Sequence, residues 1–393
     1  MLTAAPHDTE SPKPARPDAG PLDPVSRTGQ SSGFDVVRSD HRVTDAKRVA
    51  LMEAPGFGRV HTDHMVTIRW TRAGGWERGL VGAYRPLELD PMAMVLHYGQ
   101  AIFEGLKAYR QPGGGIALFR PEANAARFAA SARRLAMPAL PPEAFLGAVQ
   151  ALIDIDAAWV PAQVGQSLYL RPFMIATEAM LGVRPADEYL FMLIASPVDR
   201  YFPGELRPVS VWISDDYVRA APGGTGEAKC AGNYAASLLA QAEAAGNDCE
   251  QVVWLDSQTR TQVEEMGGMN VVFVRHEQGR PTLVTPPLTG TILPGITRAA
   301  LLELAGDLGY GAVERPVSVA EWKAGCADGS ISEVFACGTA AVLAPIGRVR
   351  SAGGDWTVGD GTPGPVTSAL RERLLAVQHG LSPDDRGWMH QVG

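Results

Sequence analysis

Apolar and polar residues alternate with a period of two over His64-Met65-Val66-Thr67-Ile68-Arg69-Trp70, the pattern of a half-buried strand, and Gly74–Gly79 then supplies a turn. A short apolar run, Ile116–Phe119, follows Gly113-Gly114-Gly115 and predicts another strand. From Pro121 the period changes. Ala126, Phe128, Ala129, Ala132 and Leu135 fall on one helical face, and a second helix is expected from about Pro142 to Trp159, closed by Pro161. Ser167–Arg171 and Tyr189–Ile194 read as strands, so this part of the chain has α+β order with an antiparallel sheet. Beyond residue 208 the pattern mixes strands at Val209–Ile213, Gln251–Leu255, Asn270–Val274 and Glu333–Ala336 with helices. One helix holds Ala235, Leu238, Leu239 and Ala242, and another covers Thr297–Leu308 with Thr297 as its N-cap. The Gly-rich stretch 351–365 is expected to be a hairpin or loop.

Polar and proline-rich segments set the boundaries. Residues 1–33 carry six prolines and almost no large apolar side chains, which predicts a disordered tail, with order starting near Phe34. The run Ser196–Gly204, followed by Pro208, mixes turn formers with Tyr201 and Phe202. It suggests a smaller α+β domain over 34–200, a linker over 201–208 and a larger domain over 209–393.

The chain has 393 residues, of which 46% are hydrophobic and 20% charged, an ordinary globular balance that excludes fibrous or wholly disordered classes. A net charge of −8 disfavours a dedicated nucleic-acid binder. No apolar run is long enough to suggest a membrane span. Cys230, Cys249, Cys326 and Cys337 form no CxxC pair, which suits a reducing cytoplasm. His61 and His64 lack a third ligand and a helical spacing, so no metal site is expected.

Only five lysines occur: Lys13, Lys47, Lys107, Lys229 and Lys323. A lysine that forms a Schiff base sits where its charge is easily lost, often beside a flexible loop. Lys13 lies in the tail, Lys47 in a polar run, and Lys323 in a solvated helical pattern. Lys229 alone joins a glycine-rich approach, Gly223-Gly224-Thr225-Gly226, to a helix start downstream. A phosphorylated aldehyde cofactor would also need a carboxylate for its ring nitrogen and an anion cradle. Glu264-Glu265 precedes an apolar strand, Leu293-Pro294-Gly295-Ile296-Thr297 runs into a helix, and Cys337-Gly338-Thr339-Ala340 ends a strand in small residues.

These segments carry a resemblance. The runs His97–Tyr109, Leu118–Pro121 with Arg127, Leu168–Pro172, Ser196–Gly204, Gly223–Tyr234, Glu265–Asn270, Leu293–Arg298 and Gly338–Ala340 are similar, in order, to those of branched-chain amino-acid aminotransferases. These are pyridoxal 5'-phosphate enzymes of fold type IV, the two-domain mixed α/β fold shared with D-amino-acid aminotransferase. The resemblance implies a cytoplasmic homodimer that exchanges amino groups between L-leucine, L-isoleucine or L-valine and 2-oxoglutarate. The reaction would end branched-chain biosynthesis or begin degradation. It implies Lys229 as the Schiff-base and proton-carrying residue, Glu265 rather than Glu264 at the ring nitrogen, and Tyr234 at the cofactor's phenolic oxygen. Arg127, Ile296, Thr297 and Thr339 would hold the phosphate. Tyr98 with the amides of Thr339 and Ala340 would receive the α-carboxylate. Phe103, Tyr169 and Tyr201 would wall the side-chain pocket, and Arg171 would take the distal carboxylate of glutamate. Lys107 matches a lysine of the family but is read here as structural or at the pocket rim, not as the Schiff-base residue. The resemblance departs at Gly268, where many members carry threonine, and after Gly338-Thr339-Ala340, where the mammalian forms have a CxxC pair.

Overall fold

The computed structural model describes residues 30–31, 33–199, 206–277 and 279–392. Two sheets organise it. The first has eleven strands in the order Gln30–Ser31, Phe34–Val36, Gly79–Ala83, His64–Thr71, Glu188–Val198, Ser167–Ala176, Leu106–Arg110, Ile116–Phe119 and Met389–Val392. Gly75–Trp76 and Ala101–Phe103 pair from the side. The expected antiparallel order holds except where Phe34–Val36 runs parallel to Gly79–Ala83. Helices Pro121–Arg134 and Pro142–Asp156 cover this sheet, and Phe128, Phe145 and Phe191 pack ring against ring beneath them.

In the second sheet, Val263–Met266, Gln251–Leu255, Val209–Ile213, Val342–Arg350, Ile331–Gly338 and Met269–Glu277 follow one another. Because Val263–Met266 also pairs with Met269–Glu277, these strands close into a ring. Arg280–Thr285 and Gly311–Glu314 extend it, and Trp356–Thr357 pairs at the side with Val342–Arg350. Trp322 packs edge-on against Phe273 and Trp356 in its core. A further core joins the two sheets. Tyr109 and Phe119 from the first meet Val272, Phe335 and Leu343 from the second, together with Leu301, Leu304, Leu370 and Leu374 of helices Ile296–Asp307 and Pro365–Gln378.

Several expectations change. Strand Glu188–Val198 runs through Ser196-Pro197-Val198, pairing with Tyr169, Leu168 and Ser167. Pro197 is tolerated because it stands one residue from the strand's end. Most of the expected linker, 201–205, lies outside the described residues, as does nearly all of the expected tail. The division at 200 is crossed by the C-terminal strand Met389–Val392, which returns to pair with Ile116–Phe119. Lys47 belongs to helix Asp45–Glu53, capped by Thr44. The helix after residue 295 starts at Ile296 with Gly295 as N-cap, so Thr297 is not the cap but stands in the first turn.

Candidate active site

The junction of the two sheets holds a cleft of about 260 Å³. One edge of it is built by strand register. Glu265 faces Asn270 across the hairpin, and Asn270 faces Cys337 on the next strand. Residues opposite one another in antiparallel pairs project to the same side, so this row forms one continuous wall. Gly267, with φ +54, makes the tight turn between Glu265 and Asn270.

Glu265 is 1% exposed. Its Oε1 accepts from the Leu293 N–H at 2.9 Å and from Asn270 Nδ2 at 3.1 Å. Its Oε2 lies 2.6 Å from Arg219 Nε. Burial pushes the carboxyl up to about 7, and the Arg219 charge opposes that rise.

Lys229 enters from the opposite side. Its main chain is fixed: Lys229 N donates to Ser131 Oγ at 3.0 Å, and its carbonyl accepts from Phe103 N at 3.0 Å. Asn233 Nδ2 donates to the Thr225 and Ala228 carbonyls, closing the loop that carries the lysine. With the backbone held, Nζ lies 3.0 Å from Tyr234 OH and 5.0 Å from the Phe103 ring centroid.

The anion end combines two backbone features. Helix Ile296–Asp307 opens with no side-chain cap, so its first amides are available to a ligand, and Ile296 and Thr297 line the cleft. Gly295 is required there because a Cβ would fall 1.9 Å from Asn270 Oδ1. Facing it is the turn Thr339-Ala340-Ala341, between Gly338 and its paired residue Val342. Val342 has φ +64, a costly conformation for a β-branched residue, so the turn's shape is imposed by its surroundings. Arg127 closes this end. Nε and Nη2 engage both oxygens of Glu104, at 2.6 and 2.9 Å, and Nη1 donates to the Pro294 carbonyl at 3.0 Å. Burial works to raise the Glu104 carboxyl, but Arg127 outweighs it and holds Glu104 below the usual carboxylate range.

On the remaining side stand Phe103, Tyr169, Arg171 and Phe57. The Arg171 guanidinium lies 4.9 Å from the Phe103 centroid and 5.3 Å from that of Tyr169, and Nη2 donates to Tyr169 OH at 3.0 Å. Arg171 Nε is buried without a hydrogen-bond partner among the described residues. Gly105 makes this possible, since a Cβ there would lie 2.0 Å from Tyr169 OH.

Arg127, Lys229, Tyr234, Glu265, Ile296, Thr297, Thr339, Phe103, Tyr169, Arg171 and Ala340 therefore line one cleft. Two expected residues do not join them. Tyr98 is 40% exposed at the end of helix Met94–Tyr98 and does not line the cleft, because its hydroxyl is bonded to the Leu181 carbonyl instead. Tyr201 lies outside the described residues. Sequence reasoning missed Arg219, Glu104 and Asn233, and gave Asn270 no role. Asn270 was within reach, because a two-residue Gly267-Gly268 hairpin places Glu265 opposite it; the spacing around Arg219 carries no comparable signal.

The arrangement fits pyridoxal phosphate by its donor set. Two Oε1 contacts and one Oε2 contact leave Glu265 Oε2 with acceptor capacity for a ring N–H. The uncapped helix start and Arg127 suit a phosphate, and Lys229 supplies the amine. Gly268 leaves Tyr234 packed nearby, since a Cβ would stand 3.3 Å from Tyr234 Cε1.

Residues 101–349 match the family described as amino-transferase class IV. The chain is 58% identical over 355 residues to a probable branched-chain-amino-acid aminotransferase of Streptomyces coelicolor, covering 90% of this chain and 97% of that one. The crystal structure of the Escherichia coli branched-chain amino acid aminotransferase superposes with a TM-score of 0.68 at 28% identity, over 83% of this chain and 99% of that one. The branched-chain amino acid aminotransferase from Thermobaculum terrenum, solved in its PLP-form, gives a TM-score of 0.65 at 25% identity, over 83% and 98%.

Proposed function

From the premise that this chain belongs to the amino-transferase class IV family, we propose that its cleft exchanges amino groups between branched-chain L-amino acids and 2-oxoglutarate. It is a pyridoxal 5'-phosphate-dependent branched-chain amino-acid aminotransferase. The observation that carries the reading is the convergence of Lys229, Glu265, Tyr234 and the uncapped helix start at Ile296 on one cleft. The cofactor, when bound, supplies an electron-accepting ring that acidifies the substrate Cα–H.

The chain's own residues do the rest. Glu265 accepts the ring N–H and keeps that nitrogen protonated. The Lys229 amine holds the cofactor and, once released, carries a proton to and from the substrate Cα. The Tyr234 hydroxyl, 3.0 Å from that amine, orients it and the cofactor's phenolic oxygen. Ile296, Thr297 and Thr339 with Arg127 hold the phosphate. The Thr339 and Ala340 amides take the α-carboxylate. Phe103 and Tyr169 receive the alkyl side chain, while the Arg171 guanidinium at their edge takes the distal carboxylate of glutamate. One pocket thereby serves both half-reactions, with ping-pong kinetics.

The same reading makes the protein a cytoplasmic homodimer in which loop residues of one subunit close the pocket of the other, with Tyr98 serving the α-carboxylate and Tyr201 the side-chain wall. The exposure of Met92, Leu96, Tyr98, Leu181 and Val183 on neighbouring segments supports a covered face there. A visible spectrum of the purified protein before and after L-leucine tests the assignment. A cofactor band that shifts with L-leucine and returns with 2-oxoglutarate is expected. Faster turnover of D-alanine than of L-leucine would overturn the substrate.

A further inference from the structure

Arg219 lies ten residues before Lys229, and its side chain is 8% exposed. Its three donor groups run in three directions. Nε meets Glu265 Oε2 at 2.6 Å, Nη1 donates to the Thr291 carbonyl at 2.8 Å, and Nη2 donates to the Gly226 carbonyl at 3.0 Å. One planar guanidinium thus joins the hairpin that carries Glu265, the run that leads into the helix at Ile296, and the loop that carries Lys229. These segments sit close: a Cβ on Gly226 would lie 2.3 Å from the Thr291 oxygen.

Charge adds a second link. Burial raises the Glu265 carboxyl, and a carboxyl so raised would compete with a pyridine nitrogen for a proton shared between them. The positive charge of Arg219, 2.6 Å from Glu265 Oε2, opposes that rise and weakens the competitor. Lys229 is placed by the same residue, because Gly226 stands three residues ahead of it on a loop otherwise closed by Asn233.

We propose that Arg219 is a positioning residue for transamination, which keeps Glu265 an anionic acceptor so that the shared proton resides on the cofactor ring nitrogen, and which fixes the loop from which Lys229 reaches. The proposal rests on the function argued above and concerns a residue outside the cleft wall. A structural arginine would move stability alone; this one must move the protonation of the ring.

The test loads the full chain with cofactor labelled at the ring nitrogen with 15N and compares Arg219→Lys, Arg219→Gln, Glu265→Gln and the Arg219→Gln/Glu265→Gln pair. The native enzyme and Arg219→Lys should give the protonated-nitrogen resonance, while Arg219→Gln should move it toward the neutral position. Both Arg219 variants should lose kcat, Arg219→Gln by about 10–100-fold, the scale for partners that orient a functional ligand. In the Glu265→Gln background, Arg219→Gln should cost much less. An unchanged resonance in Arg219→Gln, with losses that simply multiply in the double variant, would overturn the proposal. Should Arg219→Gln not fold, Arg219→Lys decides: unchanged kcat overturns the loop-fixing role, and reduced kcat with a native resonance supports it. A native protein that takes up no labelled cofactor would instead sink the functional reading itself.

Discussion

Lys107 Nζ donates a hydrogen bond to the carbonyl of Ala340 at 3.0 Å, in the turn that lines the cleft. Lys107 is 7% exposed, and burial, with repulsion from Arg371, brings its amine down to about 8. The bond ties down the Ala340 carbonyl and puts a cation at the turn proposed to receive the α-carboxylate.

Affinity for a carboxylate ligand should therefore fall as pH rises through about 8, where the cation is lost. The stability effect has the opposite sign. Between the folded value and the ordinary lysine value of 10.5 the unfolded chain binds more protons, so this group makes stability rise with pH in that window. Titrating the Kd of a branched aliphatic carboxylate from pH 6.5 to 9.5 checks this. A step near 8 that disappears in Lys107→Met is expected, and an identical profile in both proteins contradicts it.

Lys229→Ala should abolish turnover and the cofactor's visible band while leaving the fold intact. The main-chain bonds to Ser131 and Phe103 do not need the side chain, so circular dichroism and Tm should stay near native. Retained activity would remove Lys229 from the mechanism.

Arg171→Leu should separate the two substrates. The guanidinium packs on Phe103 and Tyr169, so an aliphatic replacement keeps the wall but loses the charged contact to a distal carboxylate. A hydrogen bond to a charged group is worth about 1.5–3 kcal/mol, so KM for 2-oxoglutarate should rise about 10–100-fold. The L-leucine half-reaction, followed by single-turnover spectroscopy, should change far less. Gly105→Ala should mimic part of this by pushing the Tyr169 hydroxyl aside.

Sedimentation should give a dimer for the native chain, and Leu96→Glu should shift it toward monomer. Leu96 is 59% exposed on the short helix Met94–Tyr98, beside Tyr98, which the cleft of its own chain does not reach. Native monomers with full activity would detach Tyr98 from the site.

The contrast between Lys229 and Arg219 shows what the letters alone could convey. Lys229 was legible because few lysines occur and glycines crowd its approach, both of them local facts. The start of the helix near residue 296 was legible from Pro-Gly before an apolar period, although the cap was displaced by two residues to Gly295. Arg219 acts through contacts to Gly226, Glu265 and Thr291, which lie in three separate segments far apart along the chain, and no local pattern encodes their meeting. The return of Met389–Val392 to the first sheet was hidden for the same reason: pairing Met389 with Phe119, so far back along the chain, leaves no period in the sequence.

Glu104 and Arg127 allow stability and cofactor binding to be told apart. Glu104 is fully buried, bonded through both oxygens to Arg127 and also to Asn124 Nδ2 and the Gly105 N–H. Its carboxyl is held low, so its contribution to stability is complete above the ordinary carboxylate range and is lost as pH falls through the depressed folded value. Glu104→Leu leaves Arg127 buried and unpaired, which should cost about 3–5 kcal/mol. Replacing both, as Glu104→Leu with Arg127→Met, removes the stranded charge and should restore much of that loss, since apolar groups of similar volume often replace a buried pair at little cost. Cofactor affinity should not recover, because the guanidinium at the anion end is gone. Denaturant melts alongside cofactor titrations read the two effects independently. If the double variant regains both stability and cofactor affinity, Arg127 holds only the fold, and the phosphate must be bound by the helix start and the Thr339 turn alone.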